Sequence, residues 1–113
     1  MLFRSAPDVV MELPDAPAPL PRRYVGYDAV TAFQYKARHS FSQFAMHVDD
    51  VALVAPDVVV AQHRSEGVSA FDGRPYRNTY TTRFEFDADG RIVWWREHYD
   101  ADAVRAAFFT PEC

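Results

Sequence analysis

Three features of this 113-residue chain predict an α+β fold. Val30, Phe33, Ala37 and Phe41 recur at three- and four-residue steps and make one helical apolar stripe. Four later segments have the alternation or the short apolar runs of strands. All four glycines, Gly26, Gly67, Gly73 and Gly90, fall where turns are expected. The order is strand, helix, four consecutive strands, short helix. Consecutive strands joined by short turns pair as an antiparallel meander, with the helix on one face.

Val9 to Leu13 is a short strand ended by Pro14. Residues 14–26 hold four of the eight prolines, which lack amide donors, so this stretch is expected to be an ordered loop outside any helix or ladder. Asp28 is the expected N-cap of a helix running to about Gln43. Phe44 to Val54 is a strand, Pro56-Asp57 a turn, and Val58 to Glu66 the next strand. After the turn Phe71-Asp72-Gly73-Arg74 comes Tyr76 to Asp87, which alternates strictly. Its even positions are Tyr76, Asn78, Tyr80, Thr82, Phe84 and Phe86. Its odd positions are Arg77, Thr79, Thr81, Arg83, Glu85 and Asp87. Ala88-Asp89-Gly90 is a hairpin turn before the last strand, Arg91 to Tyr99. Asp100 caps a closing helix through about Phe108.

Length and composition bound the function. The chain has room for one domain, residues 1–113, and 49% apolar against 25% charged residues is ordinary for a globular protein. Net charge −4 argues against nucleic acid as a partner. No apolar run is long enough for a signal peptide or a membrane span, so a cytoplasmic location is expected. Cys113 is the single cysteine, so no internal disulfide or cysteine metal cluster is expected. His39, His47, His63 and His98 lie on separate elements without metal-ligand spacing, and neither a metal nor a cofactor is expected. Lys36 is the only lysine, on a polar helix face, which disfavours Schiff-base chemistry. Aromatics reach 15%, the level of an aromatic-lined pocket or a large buried interface.

The last strand carries the main candidate. Alternation sets Val93, Trp95, Glu97 and Tyr99 on one face, and Ile92, Trp94, Arg96 and His98 on the other. If the first face is concave, Glu97 is a desolvated carboxyl with a raised pKa, suited to acid/base work. If not, it is a solvated surface group. Arg64 and Glu66 share a strand face, either as an orienting ion pair or as a surface salt bridge. On this reading they face the same side as Glu97, and His63 and His98 face away.

The stretch YRNTYTTRFEFDADGRIVWWREHYDADAVRAAF resembles the C-terminal half of a SnoaL-like domain of the nuclear transport factor 2-like superfamily. DVVMELP and RRYVGYDAV resemble its first strand, proline-bearing loop and helix. The resemblance implies a cone: a strongly curved antiparallel sheet packed on helix, with a pocket inside that Glu97 enters. It also implies a homodimer through the sheet. Family members begin with one or two helices inside the cone, and these are expected to be missing here, where Met1 to Asp8 leads directly into the first strand. In limonene epoxide hydrolases, W-R-D and R-x-D motifs supply two carboxylates bridged by arginine. Trp95-Arg96-Glu97 and Arg64-Ser65-Glu66 match them, with glutamate for aspartate twice. The ketosteroid isomerase acids correspond to Leu13 and Thr82 and are not preserved. Phenazine-biosynthesis A/B proteins share the R-E ending at Glu97.

The function expected is a small-molecule enzyme of isomerase, cyclase or epoxide-hydrolase type, acting on a hydrophobic polyketide- or terpenoid-like compound. Glu97 is the acid/base, Glu66 assists, and Arg64 orients. Asn78, Tyr80, Thr82, Trp95 and Tyr99 line the pocket. The alternative is a non-catalytic ligand-binding or dimerisation module.

Overall fold

The computed structural model describes residues 4–109. Met1, where the expected loss of N-terminal helices was read, and Cys113 lie outside the described residues. Six strands and two helices follow in order: β1 (Ser5–Glu12), β2 (Arg23–Val25), α1 (Tyr27–His39), β3 (Phe41–Ala55), β4 (Val58–Ser69), β5 (Pro75–Phe86), β6 (Ile92–Tyr99) and α2 (Ala101–Phe108). The strands make one curved, unclosed sheet in the order β2-β1-β6-β5-β4-β3. β3 to β6 are an antiparallel meander, as their short turns require. β1 lies parallel to β6, with Val10 opposite Trp94 and Met11 opposite Trp95.

Three expectations are corrected. The segment 14–26 does enter the sheet: beyond Pro21 the chain regains amide donors, and Arg23–Val25 pairs antiparallel with Val10–Glu12. Gly26 at φ 94° then turns the chain into α1, its amide donating to Val9 O. Gly26, not Asp28, is the N-cap, and Asp28 sits in the first turn where its charge suits the helix dipole. α1 stops at His39 because Ser40 turns back on it, its hydroxyl donating to Lys36 O and its amide to Ala37 O. Phe41 therefore opens β3 and does not close the helix.

The strict alternation of β5 holds. Tyr76, Asn78, Tyr80 and Thr82 are buried, and Arg77, Thr79, Thr81 and Arg83 are exposed. In β6 a register shift between Glu85 and Phe86 slips Ile92 onto the inner side with Trp95. A one-residue shift reverses the facing of everything beyond it, which is why simple alternation put Ile92 outside.

The core gathers at the β1–β6 side. Val9, Met11, Leu13, Ala16, Val30, Ile92 and Trp95 are buried together, with Phe33, Phe84 and Tyr99 packed on them. A second, aromatic group of Phe41, Tyr76 and Phe108 seats α2, with Phe41 ring centroids 5.1 Å from both others. Arg74 holds the end of α2 by donating to the carbonyls of Ala106 and Phe109. Gly67 has no room for a side chain: a Cβ there would lie 2.7 Å from Gln43 O. No helix among the described residues is long and apolar enough to cross a membrane.

Leu13, 2% exposed, anchors the β1 end of the core. Leu13→Ala is expected to destabilise the protein by about 2–5 kcal/mol in denaturant unfolding, the usual range for an unfilled core leucine site. An unchanged unfolding midpoint would contradict this packing.

Candidate active site

The register of the meander decides which side chains meet. Thr82 of β5 lies opposite Ala61 of β4 and Glu97 of β6, and Tyr80 lies between His63 and Tyr99. Cross-strand partners share a face. His63, Ser65, Asn78, Tyr80, Thr82, Trp95, Glu97 and Tyr99 therefore all occupy the inner side.

Glu97 sits among aromatic and hydroxyl groups there, its side chain 25% exposed. Burial pushes its carboxyl up to about 7, with the Thr82 hydroxyl opposing. Thr82 Oγ1 is 3.4 Å from Glu97 Oε1 and 2.8 Å from His63 Nε2. His63 Nε2 is itself 3.8 Å from Glu97 Oε1. Burial lowers the pKa of His63, and the charge of Asp49 opposes that. The ring of His63 stacks on Tyr80 with centroids 4.7 Å apart. The cluster can thus hold or release a proton near neutrality at the Glu97 carboxyl, with an imidazole whose burial favours its neutral form beside it.

Beneath it runs a buried polar network. Tyr80 OH bonds Ser65 Oγ and Tyr76 OH, each at 2.7 Å. Asn78 Nδ2 donates to Tyr76 OH and to Asp100 O, and Asn78 Oδ1 accepts from the amides of Thr79 and Asp100. Burial raises the pKa of both Tyr76 and Tyr80, keeping them neutral donors. Asn78 and Tyr80 are engaged with protein, Thr82 is 1% exposed, and Trp95 packs in the core. These four make the floor of the site. Tyr99 keeps more exposure, and burial together with the Glu97 charge pushes its phenol up to about 12.

The expected grouping of Arg64 and Glu66 with Glu97 is corrected. Both lie on the outer face, where Arg64 Nε donates to Asp49 at 3.1 Å and Glu66 Oε1 stands 3.6 Å from His47. His63 was expected to face away and instead adjoins Glu97; His98 does lie outside, on Asp15. The missed signal was polarity: one face of β4 holds Ala61, His63, Ser65, Gly67 and Ser69, and the other Gln62, Arg64 and Glu66. Charged groups belong outside unless they are paired and desolvated at some cost.

Beyond His63, two strands from Glu97, the inner side continues on β3 as an apolar strip. Met46, Val48, Val51 and Leu53 of β3 lie opposite Ser65, His63, Ala61 and Val59. They remain uncovered, with Val48 62% and Leu53 71% exposed. Two depressions, of about 370 and 320 Å³, lie on the outer face, around Gln62, Thr81 and His98 and around Arg64, Glu66 and Arg77. Glu97 lines neither of them, although His63, Tyr80 and Tyr99 reach the first. Among the described residues no three His, Cys, Asp or Glu side chains cluster as metal ligands.

Comparison with known proteins follows this geometry. A Bacillus subtilis protein provisionally named an isomerase is 29% identical, with TM-score 0.79, over 92% of this chain and 75% of its own. The phenazine biosynthesis-related protein phzb2 of Pseudomonas aeruginosa is 19% identical, with TM-score 0.77, over 96% of this chain and 73% of its own. TerC, crystallised with polyporic acid, is 15% identical, with TM-score 0.77, over 94% of this chain and 81% of its own. No curated protein matches in sequence. The SnoaL-like domain matches residues 4–95, and that span runs from the first strand to Trp95 at the edge of the site. A match over so much of the chain, on an NTF2-like fold, makes this protein a member of the SnoaL-like domain family.

Proposed function

We propose that the protein is a small-molecule enzyme that moves a proton on a hydrophobic, polyketide- or terpenoid-like compound, with Glu97 as the acid/base. The observation that carries this reading is a carboxyl with its pKa raised to about 7 on the same face of the sheet as an exposed apolar strip, linked to it through His63. A general acid/base works best when its pKa lies near the operating pH. The strip from Met46 to Leu53 takes an apolar body, and Tyr99 contacts it beside Glu97. Thr82, Tyr80, Asn78 and Trp95 hold the floor. Isomerisation or cyclisation fits better than epoxide hydrolysis, because Glu66 and Arg64 stand on the other face from Glu97. The provisional isomerase name of the Bacillus subtilis protein points the same way.

A second copy is proposed to pack against the outer face, where Arg77, Thr79, Thr81 and Arg83 stand exposed around the two depressions. Such a surface suits a polar, hydrated interface. Sedimentation is expected to show a dimer at tens of micromolar protein, a concentration that corresponds to about −6 kcal/mol. A monomer there would overturn the assembly.

Glu97→Gln tests the chemistry. Against apolar enolisable ketones, turnover is expected to fall on the order of a hundredfold with KM little changed. A variant that keeps its turnover overturns the role of Glu97. Binding of such ketones without turnover by the wild type would favour the non-catalytic binding module.

The pH dependence of stability is a second test. Glu97 has its pKa raised from 4.5 to about 7 by folding, so between those values the folded state binds more protons than the unfolded one. Stability from this group therefore falls as pH rises through that window, and below it the group makes no difference. Glu97→Gln is expected to lose this slope and to gain on the wild type in denaturant titrations as pH rises from 4.5 to above 7. Parallel curves would show a solvated Glu97.

A further inference from the structure

Thr82 has one hydroxyl hydrogen and two partners, and this limits how the site can be protonated. Its Oγ1 lies 2.8 Å from His63 Nε2 and 3.4 Å from Glu97 Oε1. When Thr82 donates to one, it can only accept from the other. Glu97 protonated requires a chain running from Glu97 through Thr82 to an unprotonated Nε2. Glu97 ionised requires the reverse, with Nε2–H donating to Thr82 and Thr82 to the carboxylate. The far end of the imidazole breaks the tie. His63 Nδ1 lies 2.8 Å from the Met46 thioether, which has no hydrogen to give. The bonded arrangement at that contact is Nδ1–H donating to sulfur.

We propose that Met46, His63, Thr82 and Glu97 form one directional hydrogen-bond chain. At rest the Glu97 carboxyl donates to Thr82, Thr82 donates to His63 Nε2, and His63 Nδ1–H donates to Met46. Ionisation of Glu97 reverses the chain and moves the imidazole proton from Nδ1 to Nε2. The protons balance: Glu97 passes its proton to Thr82 Oγ1, Thr82 passes its own to Nε2, and Nδ1–H leaves to solvent at the exposed Met46 side of β3. The transient is an imidazolium 3.8 Å from the carboxylate, whose opposite charge offsets part of the cost of burying the cation. His63, Thr82 and Met46 are positioning residues. They set which way Glu97 faces its proton and give it a route to water while the strip from Met46 to Leu53 is empty.

The inference rests on Glu97 being the acid/base of the proposed function. Other titratable groups acting on the chain are Asp49 on β3, Tyr76 and Tyr80 on β5, and Tyr99 on β6. Burial keeps the three phenols neutral, which leaves Asp49 as the charge to control, through Asp49→Asn.

The test needs no substrate. Protein labelled with 15N-histidine and with 13C-carboxyl glutamate is titrated by NMR, reading the His63 tautomer and the Glu97 ionisation together. The expected result is an Nδ1–H tautomer on the acid side of the Glu97 midpoint and Nε2–H on the alkaline side, both changing at one pH. Met46→Leu removes the acceptor at an exposed position. It is expected to raise the Nε2–H fraction and to lower the Glu97 midpoint. Thr82→Val is expected to separate the two titrations and Thr82→Ser to keep them together, with far-ultraviolet circular dichroism confirming the fold of each. Should Thr82→Val fail to fold, Met46→Leu and Glu97→Gln decide; in the latter the tautomer should no longer respond to pH. A His63 tautomer that stays fixed while Glu97 titrates near 7 overturns the chain and leaves Glu97 as acid/base. A Glu97 that titrates in the ordinary carboxylate range overturns both.

Discussion

Strand β5 presents to the interior a row of polar side chains, each of which must find a partner once water is removed. Tyr76, Asn78, Tyr80 and Thr82 are buried in succession. An unmet buried donor or acceptor costs about 1–3 kcal/mol, so four in a row could not be tolerated unpaired. Each is met: Tyr80 by Ser65 and Tyr76, Asn78 by Asp100 and Tyr76, and Thr82 by His63. Among the described residues no buried side-chain nitrogen or oxygen is left without a partner. Ser65 and His63 must therefore be on the inner side of β4, which sends Arg64 and Glu66 outward. Asn78 in turn grips both backbone groups of Asp100, the residue whose side chain caps α2 through the Asp102 amide. One polar row thus sets the facing of β4, the start of α2 and the surroundings of Glu97.

The interior is divided as a result. On the β1 side it is apolar and closed by α1, with Val30 as the buried anchor of that helix. On the β3 side the helices reach only the start of the strand at Phe41 and Phe44, and beyond it Met46, Val48, Val51 and Leu53 are exposed among the described residues. The Glu97 cluster stands at the border between the two halves. Its carboxyl is dry enough for burial to raise its pKa to about 7, and its side chain keeps 25% exposure. A large exposed apolar surface commonly marks a ligand or interaction site, which is the ground on which the open half is proposed as the functional one.

How far the residues themselves foretell this arrangement differs from strand to strand. β5 is readable outright, because its even and odd positions differ in kind and one face must be buried. The adjacency of Glu97 to Trp95 and Tyr99 follows from the same period-two rule. β4 is ambiguous to that rule, since both of its faces hold polar groups, and Arg64 and Glu66 two residues apart have the pattern of an orienting ion pair, although each pairs with β3 instead. Only the need of Tyr80 and Thr82 for partners resolves it, and that need spans 15 to 19 residues of separation. β2 was hidden by the prolines before it. The slip at Ile92 arises from a bulge that no local pattern announces. The link between His63 and Glu97 is invisible in sequence, because it depends on registers across three strands.

The irregularities of β3 have a consequence for the behaviour of many copies together. This strand is 15 residues long and lies at the margin of the sheet, with no neighbouring strand on one side of its backbone among the described residues. Such a margin is a template for runaway stacking of strands from other copies. Its ladder with β4 shifts register at three places, between Phe41 and Gln43, Val48 and Asp50, and Leu53 and Ala55. Each shift bends the margin, so no long flat stretch is offered. The middle shift holds Asp49 and Asp50, and two antiparallel copies aligned there would set like charges against each other. The same strand that leaves an apolar wall exposed thus carries its own guard against edge-to-edge stacking of copies.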